Sequence, residues 1–386
     1  MKKKFGFVCS SDPFKDRFAW SGTYYKIREG LQNAGYDVVW IPVKKMGLVE
    51  KCYYAYLKIC ELLFRNGDRI HQASHLPFLT KRLAKSICVN ETFKSCDAYF
   101  FPGGTHLLNY MDVLGKPVVN YTDATYHGMI DYYLKNLNKE KMQKCMDLEK
   151  KGLNLASVNI YSSQWAANSA INDCDVDSKR CFVLEFGANL DVSDVVPGTS
   201  YTGGPLNVFF SGVKWIRKGG NIAVETVLKL RSMGVDAHLT IAGIKELPDD
   251  VKKYSFIQCV GFLNKNDPVS YQKYIDCWKR IHLFVLPTQA ECSATVYCEA
   301  AGFGVPTYTS LTGGTGNYVI DGVNGRTFSV GASALEYAEK IKEDLDSGNL
   351  KKFHVGALKM YETKLSWKAW SKRFKQIMDD VNLFEK

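Results

Sequence analysis

Short apolar runs, each closed by a polar or glycine-bearing turn and followed by a stretch with helical spacing, recur along the chain. Phe5–Cys9 is the first. It leads through Ser10–Pro13 and Ser21-Gly22-Thr23 into an expected helix, Tyr24–Asn33, which stops at Gly35 before a second run, Val38–Ile41. Strand, loop, helix and strand in that order form the βαβ unit of a parallel sheet. Buried strands are expected again at Asp97–Phe101, Lys116–Tyr121, Ser157–Tyr161 and Cys181–Leu184. Helices are expected around Asn138–Leu153 and after Ser162.

Asp191–Pro205, rich in Ser, Thr, Gly and Pro, reads as a linker. The pattern restarts at Leu206–Phe210, and strands are expected at Ala237–Gly243, Phe256–Val260 and His282–Pro287, with helices over about Asn221–Met233 and Val269–Arg280. A further helix, capped by Ser293 or Thr295, is expected to run to about Ala301 and stop at Gly302 and Gly304 before Pro306. Ser366 is expected to cap a last helix ending near Leu383. A chain of 386 residues with this rhythm implies two α/β domains, 1–190 and 206–357.

Composition adds two facts. The net charge of +10 suits an anionic partner, and much of the excess falls in residues 44–94. There Lys44, Lys45, Lys51, Lys58, Arg65, Arg69, Lys81, Arg82, Lys85 and Lys94 outnumber Glu50, Glu61, Asp68 and Glu91, with Tyr53, Tyr54, Tyr56 and Phe64 interleaved. Such a segment packs one face on its own sheet, makes peripheral contact with an anionic membrane, or grips a polyanion. The twelve cysteines show no C-x-x-C pair and no zinc spacing, so a reducing cytoplasm and no metal site are expected. The apolar run after Lys2-Lys3-Lys4 is too short for a signal peptide, and no segment has the length of a membrane span, so a cytoplasmic protein, soluble or membrane-associated, is expected.

Candidate chemistry sits where apolar runs end. Ligands of α/β sheets bind at the carboxyl ends of strands, which singles out Gly22 and Thr23 after the first strand, and Asp123 and His127 after the strand ending at Tyr121. Gly212, Lys214, Arg217, Lys218 and the pair Gly219-Gly220 follow Leu206–Phe210. Forked guanidinium donors, a mobile ammonium and closely approaching glycine backbone suit a diphosphate. Gly243 ends another strand, and Phe262 and Leu263 offer apolar flanks for a nucleobase. Glu291 lies just ahead of the helix that carries Glu299. Backbone N–H groups at Ser293, Ala294 and Thr295 would face an anion there. Two carboxylates flanking an anion site describe a pocket for a nucleotide-activated sugar. Gly313 and Gly314 follow the next short strand and share that rim. No G-x-x-x-x-G-K-[ST] or G-x-G-x-x-G occurs, which argues against P-loop and dinucleotide chemistry.

Together these residues resemble retaining glycosyltransferase family 4. The resemblance is strongest over roughly 206–326, in the turn Arg217–Gly220, the E-x7-E pair Glu291 and Glu299, Gly304–Pro306, Gly313-Gly314 and Asp321–Gly325. Weaker similarity covers Ser21–Thr23, Asp123–Thr125, Ser163–Ala166 and Phe186–Asn189. The resemblance implies a GT-B fold, two facing Rossmann-like domains with a cleft, the first binding the acceptor and residues 366–386 packing back on it. It implies that Arg217 and Lys218 hold the donor diphosphate of a UDP-, GDP- or ADP-sugar, Glu299 the ribose, and Glu291 the transferred sugar. Transfer would retain configuration without metal or cofactor, to a saccharide or lipid-linked acceptor in cell-surface polysaccharide or glycoconjugate synthesis. The sequence departs from the family in having Val213 after Gly212 where Arg is frequent, Asn317 where Glu is usual, and Asp123 or His127 near a frequent His. The competing reading is a non-enzymatic, basic nucleic-acid- or nucleotide-binding protein; recurrent glycines at strand ends favour the enzyme, with no nucleic-acid partner.

Overall fold

The computed structural model describes residues 2–44, 47–63, 75–198 and 200–385, with side chains 61–63 excepted. Lys45, Phe64, Arg65, Asp68 and Arg69 of the basic segment lie outside the described residues. The chain divides into two units: Met1–Ala19, Tyr24–Leu184 and Ser371–Lys386 form the first, Trp20–Thr23 and Glu185–Trp370 the second.

The first unit holds β1 (Lys4–Cys9), α1 (Thr23–Asn33, begun in the second unit), β2 (Asp37–Pro42), α2 (Leu48–Leu63), α3 (Pro77–Lys85), α4 (Glu91–Lys94), β3 (Ala98–Pro102) and β4 (Val118–Thr122). It continues with α5 (Tyr126–Met129), α6 (Lys139–Leu155), β5 (Val158–Tyr161), α7 (Gln164–Cys174) and β6 (Cys181–Val183). Its six strands pair in the order β2-β1-β3-β4-β5-β6, and every pairing is parallel. A parallel sheet covered on both faces needs near-continuous apolar strands, and Phe5, Phe7, Tyr99, Phe100, Phe101, Val119 and Tyr121 are fully buried. Helix starts follow local chemistry: Asn90, Thr125, Asn138 and Ser163 each accept an N–H from the first turn they precede.

Buried among these elements, Glu149 of α6 accepts the backbone N–H of Tyr126 at 2.6 Å, at the start of α5. Burial raises its carboxyl to about 8 against two lowering backbone hydrogen bonds. Nearby His106, stacked on His75 at 3.9 Å between centroids, is held well below the usual histidine range by burial and then by His75.

The second unit holds β7 (Leu206–Ser211), α8 (Trp215–Lys218), α9 (Gly220–Ser232), β8 (Ala237–Ala242), β9 (Ile257–Gly261), α10 (Pro268–Arg280), β10 (Leu283–Leu286) and α11 (Thr295–Gly302). It ends with β11 (Thr307–Ser310), β12 (Gly325–Phe328), α12 (Ala334–Asp346), α13 (Asn349–Met360) and the start of α14 (Trp367–Asp380). The order β12-β11-β10-β7-β8-β9 is again wholly parallel. The division falls at Glu185, ahead of the Asp191–Pro205 stretch read as a linker. Glu185 is buried, paired with Lys364 at 3.1 Å and bonded by Asn317 at 2.7 Å, so the chain already belongs to the second unit there. From Ser371 it belongs to the first, where Phe374 meets Phe5 and Phe100 edge-on or tilted.

Glu149 supplies a pH signature. The native state keeps its proton to about pH 8 while the unfolded chain loses it near 4.5, so between these values the native state binds more protons and stability falls as pH rises. Denaturation midpoints should drop across this window, with a slope approaching ~1.4 kcal/mol per pH unit from this group. Glu149→Gln should flatten that part of the profile; an unchanged profile would mean that Glu149 does not titrate there.

Candidate functional site

In the second unit the turn after β7 carries the cations. Lys218 ends the single-turn helix α8, is buried, and its ammonium contacts the Glu291 carboxylate directly. Arg217 Nη1 reaches Glu291 Oε2 at 3.6 Å and also donates to the Ala290 carbonyl at 2.5 Å. The main chains are joined as well: Gln289 N–H donates to the Arg217 carbonyl at 2.7 Å. Glycine is required for this approach. Gly219 has φ +77° and a Cβ there would overlap the Pro287 carbonyl. A Cβ at Gly212 would meet the Lys218 stem at 2.9 Å, and one at Gly243 (φ +98°) would meet the Gly212 backbone at 2.8 Å. Lys218 therefore runs across bare backbone to reach Glu291. Lys214, by contrast, is exposed at the start of α8.

Glu291 sits in the loop between β10 and α11. Its own carbonyl accepts the Gly314 N–H at 3.1 Å, which ties the Gly313-Gly314 loop after β11 to the same rim. The residue before α11 is Ala294, with no side-chain cap, rather than Ser293 or Thr295; Ser293 Oγ is turned to the Cys292 carbonyl at 2.7 Å. A helix start without a side-chain cap leaves its amides for another acceptor.

Glu299, on α11, is 1% exposed, and both carboxylate oxygens have donors. Lys265 contacts Oε1, and Tyr274 of α10 donates to Oε2 at 2.6 Å. Burial, and then the Glu299 charge, pushes the Tyr274 hydroxyl far up, so it remains a donor. Lys265 also lies over the Tyr274 ring, 4.9 Å from its centroid. It is carried by the loop after β9 that presents exposed Phe262 and half-buried Leu263.

Gly22 and Thr23 also cluster with the second unit. Trp20 (φ 50°), Ser21 (φ 56°) and Gly22 (φ 88°) are three successive left-handed residues, two of them with a Cβ. Asn189 holds this turn by donating to the Ser21 carbonyl at 2.9 Å and Thr23 Oγ1 at 3.0 Å, while Trp20 packs edge-on against Phe186. Trp367 Nε1 in turn donates to Asn189 Oδ1 at 3.3 Å.

The structure thus joins Lys218, Arg217, Glu291 and Gly314 in one bonded set, with Gly212 and Gly243 stacked beneath. Glu299 forms a second set with Lys265 and Tyr274. Asp123 and His127 belong to the first unit, where they follow β4, and His127 Nε2 lies 3.8 Å from Asp173 Oδ1. Sequence reasoning missed Lys265 and Tyr274, and it quoted Asn189 only within the Phe186–Asn189 stretch of weaker similarity, without a role. Nothing in their spacing marks them, because each acts on a partner remote in sequence.

Removing the Lys218 charge strands most of a buried carboxylate. Lys218→Ala should lower the unfolding free energy by about 2 kcal/mol, less than for a wholly orphaned pair because Arg217 remains near. Urea titration reads this, and Lys218→Met with Glu291→Gln should recover most of the loss. Unchanged stability in the single variant would rule out the buried pair.

Comparison with known proteins places this geometry. Residues 204–347 match the family described as "Glycosyl transferases group 1". The chain is 30% identical over 126 residues to the glycogen synthase of Mycobacterium tuberculosis (strain H37Rv), a match covering 32% of this chain and 30% of that protein. It therefore spans about a third of the length of the curated relatives it matches. Among solved structures, a glycosyltransferase from Rickettsia africae superposes with a TM-score of 0.64 at 13% identity, over 99% of both chains. Anabaena HepE gives 0.64 at 14% over 98% of this chain and 100% of that one, and sucrose-phosphate synthase from Thermosynechococcus elongatus 0.63 at 15% over 99% of both. The fold of this chain is that of the GT-B glycosyltransferases.

Proposed function

We propose that this chain is a retaining glycosyltransferase of family 4, moving a sugar from a nucleoside-diphosphate sugar to a saccharide or lipid-linked acceptor. The observation that carries the reading is the convergence of Lys218 and Arg217 on Glu291, ahead of an uncapped helix start. The group 1 match over 204–347 spans all of these residues and Glu299, which supports it. HepE was solved with UDP and with UDP-glucose, which favours a donor of that class. The reading gives each side chain a task. Lys218 and Arg217 take the donor diphosphate, Glu291 the hydroxyls of the transferred sugar, and Glu299 the ribose, with Phe262 and Leu263 beside the base. Gly22 and Thr23 would approach the diphosphate through backbone, and Asp123 or His127 would serve the acceptor.

In the reaction the bond from the anomeric carbon to the β-phosphate oxygen breaks, and a bond to the acceptor hydroxyl oxygen forms on the same face. The hydroxyl proton passes to the departing phosphate. Negative charge grows on that phosphate, and cations fixed beforehand stabilise it without reorganising. Glu291 keeps the two cations in place until the donor arrives, and the growing phosphate charge then draws on their remaining donors. An acceptor in cell-surface polysaccharide or glycoconjugate synthesis fits this reading.

A thermal-shift panel of UDP, GDP, ADP and their sugars should raise the melting temperature for one base family, with bare nucleosides giving less. With that donor, Lys218→Ala should reduce kcat by about 10²- to 10³-fold. No shift from any nucleotide sugar, or normal turnover in the variant, would contradict the proposal.

A further inference from the structure

Helix α2 is apolar on two faces, and among the described residues only one of them is packed. Leu57 is buried with Leu79, Tyr126, Leu134 and Cys145, and Tyr53 packs against this cluster. Glu50, also buried, pairs with Arg82 of α3. The opposite face carries Leu48, Cys52, Ala55 and Ile59 at i, i+4, i+7 and i+11, flanked by Val49 and Tyr56, and all six are exposed. Leu48 is 79% exposed and Tyr56 60%. An apolar stripe exposed from Leu48 to Ile59 marks an interaction surface rather than scattered surface hydrophobes.

Charge identifies the partner. Lys51 and Lys58 line one side of the stripe, and exposed Lys81, Arg82 and Lys85 follow on α3, which α2 meets through Tyr53 and Phe78 at 4.7 Å between rings. Across residues 48–60 and 77–85 the one acid is Glu50, already paired with Arg82. A second copy of this surface would set lysine against lysine. A bilayer with acidic headgroups matches both features at once: its acyl boundary takes Leu48, Val49, Tyr56 and Ile59, and its headgroups take the ammonium groups. Among the described residues no helix is long and apolar enough to cross a membrane.

We propose that the outer face of α2 docks this chain on an anionic membrane surface, with Leu48, Val49, Tyr56 and Ile59 entering the interface and Lys51 and Lys58 pairing with headgroups. None of these residues belongs to the Lys218 and Glu291 cluster, so the inference does not depend on the proposed reaction.

The test is co-sedimentation of the full chain with vesicles of phosphatidylcholine alone or mixed with phosphatidylglycerol, at low and high salt. Binding should require the acidic lipid and weaken with salt. Lys51→Glu with Lys58→Glu should lower the partition coefficient more than tenfold, since each lysine near an acidic surface is worth about fivefold. Leu48→Ser with Ile59→Ser should also lower it about tenfold or more. Both variants should keep the parent melting temperature and any shift given by a nucleotide sugar, because the changed side chains are exposed. Equal binding to both vesicle types, no binding by the parent, or undiminished binding by the charge-reversed variant would overturn the proposal. So would a parent dimer that Ile59→Ser converts to monomer, since the face would then be covered by a second copy.

Discussion

The contact between the Lys218 ammonium and the Glu291 carboxylate is the constraint around which the rim of the second unit is built. Two opposite charges taken from water need each other and further hydrogen bonds, or their desolvation is not offset. The surrounding backbone follows from that need. The β7 turn must lie against the loop after β10, so Gly219 takes a left-handed conformation over the Pro287 carbonyl. The lysine stem must cross the strand end, which leaves no room for a Cβ at Gly212. Arg217 then reaches the same carboxylate, and Gly314 binds the Glu291 carbonyl. A cationic turn, an acidic loop and a glycine-rich loop become one rigid rim.

Glu299 shows the same logic in another form. It is almost wholly buried, and Lys265 and Tyr274 occupy one oxygen each. A carboxylate has about four acceptor positions, so two remain, and the proposed reading gives these to ribose hydroxyls without breaking either bond. Lys265 balances the charge that Glu299 would otherwise carry into an apolar helix, and it does so from the loop presenting Phe262 and Leu263. In the proposed reading this makes one continuous seat for base and sugar.

Most of the architecture was legible because period and punctuation are local. Strands such as Phe5–Cys9 and Leu206–Phe210 announce themselves by composition, and Ser163 and Asn138 start helices by hydrogen bonds within a few residues. The glycine-bearing turns after β7 and β11 were legible for the same reason, as were Lys218 and Glu291 as candidates. The cap of α11 was misread, because Ser293 spends its hydroxyl on the Cys292 carbonyl and leaves Ala294 in the cap position. Helices α12 and α13 carry a weaker sequence signal, because their polar faces dilute the helical period. The start of the second unit was obscured too: Glu185 joins it through Lys364 and Asn317, partners more than a hundred residues away. The left-handed turn at Trp20 and Ser21 had no signal at all, since neither residue favours that conformation and the partners that hold it, Asn189 and Phe186, lie far along the chain. In the basic segment, packing and exposure both occur, on opposite faces of one helix.

In the proposed function the Lys218 and Glu291 rim receives the donor diphosphate. A crystal structure of the chain bound to the nucleoside-diphosphate sugar that stabilises it most tests this directly. The account predicts phosphate oxygens within hydrogen-bond distance of Lys218 and Arg217, with the sugar against Glu291 and the ribose on Glu299. A nucleotide bound elsewhere, with the Lys218 and Glu291 pair intact and untouched, would contradict it.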